Sequence, residues 1–159
     1  MEPRALRAAH RAPKVIRQVT FRPLKRGKLP RPFDKTGGPR LSYAGPLPLG
    51  SGYVALFLAR GGETRERRAF YGYLLQEQGA DWVPLAALHY HPSHKGLHLV
   101  VNCGDLPDFT GRLLPGAPEL ALRTARAYDP DDAQGRLQLV HVFSDRLNIR
   151  LAPDDAQLL

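Results

Sequence analysis

Apolar residues along this chain recur mostly at every second position or in short unbroken runs, the spacing of strands more than of helices. GYVALFLAR (52–60) predicts a buried strand stopped by Gly61-Gly62. ETRERRAFYGYLLQ (63–76) reads as a second strand hairpinned onto it, although Phe70, Tyr73, Leu74 and Glu77 also fit a helical stripe. WVPLAALHYH and LHLVVNC flank the turn-forming PSHKG and predict another hairpin, with Pro84 at a strand start or an edge because it cannot donate to a ladder. GDLPDFTGRLLPG reads as loop. ELALRTARAY after Pro118 has one apolar stripe (Ala117, Leu120, Ala121, Ala125, Tyr128) with Glu119 early and Arg123 and Arg126 late, and predicts the main helix, ended by DPDD. RLQLVHVFS and RLNIRL alternate as half-buried strands, with His141 in the core and Leu147, Ile149 and Leu151 facing inward.

The expected fold is α+β: a mostly antiparallel sheet of five or six strands with one main helix packed on it. A Pro-rich arm, residues 1–40, precedes a single domain, 41–159, with LSYAGPLPLGS (41–51) as a turn-rich joint. At 159 residues, 43% hydrophobic and 24% charged, the chain has the makings of one globular unit. No apolar run approaches the roughly 20 residues of a membrane span, and the first residues lack the pattern of a secretory signal. Cys103 is the only cysteine, so nothing calls for an oxidising compartment. A cytoplasmic location with no membrane partner is expected; the sequence leaves oligomeric state open.

Charge changes this picture. The net +8 is confined to the arm, where twelve Lys and Arg face only Glu2 and Asp34, whereas residues 41–159 hold eleven basic against thirteen acidic side chains. Such an arm suits a phosphate backbone bound without sequence preference, through Arg17, Arg22, Lys25, Arg26, Lys28 and Arg31. A solvated tail that aids solubility is the plainer reading, while PKVIRQVTFRPL, with partial β character at Val15, Gln18, Val19, Thr20 and Phe21, could form a short strand that docks part of the arm on the body. Arg65, Arg67 and Arg68 extend the basic surface, partly cancelled by Glu63 and Glu66. Trp82 and Tyr90 could stack on bases but are expected to pack.

The chain's unusual chemistry lies in HYHPSHKGLH (89–98), which holds four of its six histidines. If the loop is Pro92–Lys95, His89 sits across from His98, His91 faces Gly96, and three imidazoles converge. A loop one residue longer splits them, because a one-residue slip turns every side chain to the other face. The first register is expected: it gathers Ala86, Leu88, Leu97, Leu99 and Val101 on one apolar side, and leaves Gly96 free for a left-handed backbone. Three histidines on one face permit two chemistries. His89 and His98 can act as a base and acid pair on a phosphodiester, with His91 third and Lys95 steadying the phosphate charge. Alternatively His89, His91 and His98 can hold a divalent metal, Zn or Mn, that activates water, with Asp105, Asp108 or, weakly, Cys103 nearby. The cofactor is thus either none or such an ion.

His89-Tyr90-His91 resembles the histidine–hydrophobic–histidine core of HUH nucleases, and LHLVVN is similar to the tail of the histidine strand in relaxases of that class. The resemblance implies nicking of single-stranded DNA by a tyrosine, for which Tyr43, Tyr71 and Tyr73 are candidates. His89-Tyr90-His91-Pro92 also looks like the start of a JAMM-type metal motif, but Leu99 and Asn102 stand where serine and aspartate belong, so that family is excluded. There is no Walker loop, dinucleotide fingerprint or HExxH. The function expected is nucleic-acid action, as a nuclease of RNA or single strands. The alternative is a non-catalytic nucleic-acid or ribonucleoprotein module whose histidines are structural or hold an ion.

Overall fold

A computed structural model describes residues 8–92, 96–101 and 128–152, with 96–101 defined by backbone alone. Strands β1 (Lys14–Ile16), β2 (Arg22–Pro23), β3 (Leu41–Gly50), β4 (Tyr53–Arg60), β5 (Ala69–Gln78), β6 (Asp81–His91) and β7 (Gly96–Val101) are followed by helix α1 (Ala133–Arg146) and strand β8 (Ile149–Leu151). β2 through β7 form one antiparallel sheet in chain order, while β1 pairs in parallel with β8. This is the expected α+β architecture, with one main helix on an antiparallel sheet.

The sheet is covered on both faces, which is why the central strand β4 is buried at six consecutive positions, from Val54 to Ala59. On one face α1 inserts Leu139, Val140 and Phe143 among Phe57, Phe70, Leu74 and Leu88. The Phe143 ring meets Phe57 edge-on at 5.0 Å between centroids. Gly72 makes room for it, since a Cβ there would lie 2.8 Å from Phe143 Cδ2 and 3.2 Å from the Phe57 ring. On the other face the arm folds back, burying Leu24, Leu29 and Phe33 against Tyr43, Leu56, Leu58, Leu75 and Trp82. It is pinned at the β5–β6 turn, where the Trp82 N–H donates to the Arg31 carbonyl (3.0 Å) and the Arg31 guanidinium grips both Asp81 carboxylate oxygens (3.2 Å each). Lys14 also turns inward: its ammonium donates to the carbonyls of Ala9 (2.6 Å), His10 (3.2 Å) and Ala12 (2.6 Å). Burial lowers its pKa to about 8, against the three acceptors that favour the charged form. Much of residues 8–40 is therefore packed structure, not a loose tail.

Several expectations change. RLQLVHVFS is helix, not strand: the DPDD sequence read as a terminator supplies the N-cap, Asp132, whose carboxylate accepts from the Gly135 N–H (3.0 Å). The buried residues 139, 140, 143 and 147 then follow helical spacing, and His141 is exposed on the outer side instead of lying in the core. LSYAGPLPLGS is strand β3, not a joint. It absorbs its prolines with register shifts after Ala44 and Pro48, as an edge strand can. Gly45 has φ +118, and a Cβ there would meet the Ala55 carbonyl oxygen at 2.7 Å, so the close approach of β3 to β4 requires glycine. Pro84 lies inside β6, beside a bulge. The helix expected after Pro118, the loop before it, Lys95, Cys103, Asp105 and Asp108 fall outside the described residues.

Gly72→Ala is expected to cost about 1–3 kcal/mol by overpacking, because Phe143 and Phe57 are fully buried and cannot yield. A lower midpoint in urea with an unchanged denaturant slope checks this; an unchanged midpoint would contradict the tight seat assigned to Phe143.

Candidate functional site

The histidines owe their facing to one extra residue. Leu75 pairs with Pro84, yet Leu74 pairs with Ala86, so Leu85 is bulged and Leu85 and Ala86 both lie in the helix-side core. Before the bulge, Trp82 and Pro84 share the arm-side face; after it, Ala87, His89 and His91 do. The upper half of β6 thereby presents its imidazoles to the same side as Tyr71 and Tyr73 of β5.

The β6–β7 hairpin then pairs His91 with Gly96, His89 with His98 and Leu88 with Leu99. This is the register in which backbone positions 89 and 98 stand directly opposite, on one face of the sheet. Followed across every strand, the pairing gives one row: Arg22, Tyr43, Leu58, Tyr71, His89, His98. The row starts in the basic arm and ends at the histidine hairpin. Two features that stand far apart in the sequence lie on one face of the sheet, with Tyr43 and Leu58 between them buried in the cluster formed with the arm.

Around Tyr71 the rings are close. His89 and His91 approach it edge-on, at 5.3 and 5.6 Å between centroids, and Tyr73 stacks alongside at 6.4 Å. Phe33 of the arm packs on Tyr73 at 4.8 Å, so the aromatic surface runs unbroken from arm to hairpin. Both phenols are pushed above the ordinary tyrosine value. Burial is the main cause for each; the neighbouring Tyr71 raises Tyr73 further, while Arg60 pulls Tyr71 partly back. At neutral pH both are therefore O–H donors, not phenolates. Arg60, exposed at the end of β4, and Arg65, whose guanidinium donates to the Pro92 carbonyl (2.8 Å), add cations at this end of the sheet.

The remaining sequence candidates divide. Arg17, Arg22, Lys25, Arg26, Lys28 and Arg31 are all exposed; Lys28 lies over the Tyr43 ring (5.8 Å), and Arg31 is engaged by Asp81. Trp82 and Tyr90 pack as expected. Trp82 is buried beneath Phe33, and the hydroxyl of buried Tyr90 accepts from the Tyr128 N–H (2.9 Å) on the helix side. Sequence reasoning missed Arg60, and it weighed Tyr71 without a reason to prefer it. Pairing the strands outward from the 61–68 turn, Arg60 with Ala69 and Leu58 with Tyr71, would have put both on one face, but that this is the histidine face follows only with the bulge at Leu85 known.

The His89 and His91 rings stand 6.4 Å apart at 86°. A shared tetrahedral ion, with nitrogen ligands at about 2 Å, would hold two ring centres roughly 5 Å apart, so binding one would draw these two together. Among the described residues no group of three or more His, Cys, Asp or Glu side chains is gathered to hold a metal.

The fold and this face define an α+β sheet protein bearing a Tyr–His surface at one end. No protein-family model matches the chain, and no curated protein or solved structure is significantly similar to it.

The raised phenols predict an alkaline weakness. Unfolded tyrosine ionises near pH 10, so above that pH the unfolded chain has released protons that the folded protein retains. Stability accordingly falls as pH rises past about 10. Tyr73→Phe should flatten that fall, read as urea midpoints across alkaline pH. A fall of undiminished slope in the variant would contradict the burial of this phenol.

Proposed function

We propose that this protein binds a nucleic-acid strand, RNA or single-stranded, across the arm-bearing face of the sheet and cleaves a phosphodiester bond at its β5–β7 end. The observation that carries this reading is the cross-strand row from Arg22 to His98, which aligns arm charge, a neutral phenol and two histidine positions. It is supported by the cations grouped near the histidines and by the exposure of Arg17, Arg22, Lys25, Arg26, Lys28 and Arg31.

On RNA, one imidazole of the His89/His98 pair takes the proton of the attacking 2′-hydroxyl. That oxygen bonds to phosphorus, the bond to the 5′-oxygen breaks, and the second imidazole donates its proton to the departing oxygen. Tyr71 O–H and Arg60 stabilise the charge that builds on the phosphate, and Lys95, four positions after His91 in the sequence, would add a further cation. His91, edge-on to Tyr71 at 5.6 Å and next to His89, positions that phenol. Where a divalent ion is used instead, His89, His91 and His98 would hold it and it would supply an activated water.

His89→Ala and His98→Ala, each checked for folding by circular dichroism, are expected to lower cleavage of RNA at least about a hundredfold. Chelator should leave the wild-type rate unchanged. Wild-type rates in either folded variant would overturn the assignment, and loss of activity in chelator would replace the acid–base pair with a bound metal.

A further inference from the structure

The arm-side row begins beside a cleft that the histidine chemistry does not use. β2 pairs only with Ser42 and Tyr43, so among the described residues no strand of the sheet covers the outer edge of β3 from Gly45 to Gly50. Residues 15–22 pass over this edge and leave a cleft of about 720 Å³. Its polar wall carries Arg17, Gln18, Thr20 and Arg22, all exposed; its apolar wall is Pro46, Leu47 and Pro48. Among the described residues no acidic side chain lines it.

We infer that this cleft binds one nucleotide unit of the same strand, at a distance from the bond that is cut. The chemistry matches a nucleotide part by part. Two guanidiniums with no opposing carboxylate suit a phosphate, which arginine grips through paired N–H donors. The flat proline and leucine wall suits the face of a base, and Gln18 and Thr20 offer donors and acceptors to its edge. Pro46 and Pro48 carry no N–H, which disfavours an added β-strand at this edge and leaves the cleft to another kind of ligand. The volume lies within the roughly 300–1,000 Å³ usual for small-ligand sites.

Arg22 belongs both to the cleft and to the cross-strand row, so it joins the two sites. Four strand spacings separate it from His89, a span of roughly 19 Å. A strand lying across the β-strands therefore reaches both sites only when it is several nucleotides long. This inference rests on the proposed nucleic-acid reading and adds a length requirement to it.

The test separates binding from cleavage by using fluorescein-labelled 2′-O-methyl oligouridylate, whose blocked hydroxyl prevents self-attack. A dodecamer and a dinucleotide are titrated against the full chain by fluorescence anisotropy. Gln18→Glu combined with Thr20→Glu sets carboxylates in the cleft at exposed positions and is expected to weaken the dodecamer about tenfold or more. Gln138→Glu, exposed on α1 across the sheet, should change its affinity less than about twofold, and the wild type should bind the dinucleotide far more weakly than the dodecamer. Equal loss in the cleft and control variants would overturn the cleft assignment while leaving the histidine proposal standing. A cleft-dependent affinity in a protein that cleaves no RNA would uphold the cleft and sink the catalytic reading. Failure of the wild type to retain the dodecamer would overturn both.

Discussion

The histidine surface depends on a single unpaired residue. The β5–β6 turn sets Gln78 against Asp81, and if that register ran on unbroken Tyr71 would face Leu88. His89 and His91 would then point into the phenylalanine core under α1. Bulging at Leu85 moves the pairing by one, and every residue beyond it changes face. Pro84, with no N–H to give the ladder, stands beside the interruption, and both Leu85 and Ala86 find apolar cover on the helix side. Burying two imidazoles in that core without partners would cost far more than one irregular pair.

That constraint has meaning because both faces of the sheet are occupied. The helix seals one with Phe143, seated over Gly72; the arm seals part of the other with Leu24, Leu29 and Phe33. The arm's apolar residues dock it while its cations remain in solvent, so one segment completes the core and charges the surface. Lys14 is the exception, turned inward onto three carbonyls. A segment that reads as a tail from its charge and prolines is held by packing instead, because three large apolar side chains spaced through it outweigh its polarity.

How much of this was legible beforehand follows from the kind of signal each element carries. Strands β4, β6 and β7 declare themselves by apolar runs broken at Gly61-Gly62 and PSHKG, β5 only against a competing helical stripe, and the register of the last hairpin follows from asking which alignment keeps histidine out of the core. The pattern Leu137, Leu139, His141, Phe143 imitates a strand, but α1 has a capped start at Asp132 and buries Val140 between two of those positions. β3 was obscured by Gly45, Pro46 and Pro48, which suit an irregular edge and also suit a turn. The row to Arg22 was not readable at all: it needs the bulge at Leu85 and the short β2 pairing, and neither leaves a periodic trace.

The account stands on the alignment of Tyr71, His89 and His98 along one line. Its most direct test is a nuclear Overhauser experiment on protein labelled only at tyrosine and histidine. Backbone cross-peaks should link Tyr71 with His89 and His89 with His98. Loss of the Tyr71–His89 cross-peak, as when Tyr71 faces Leu88 instead, would show β6 slipped by one residue with His89 and His91 off the arm's face, and no His89–His98 contact would take His98 off it.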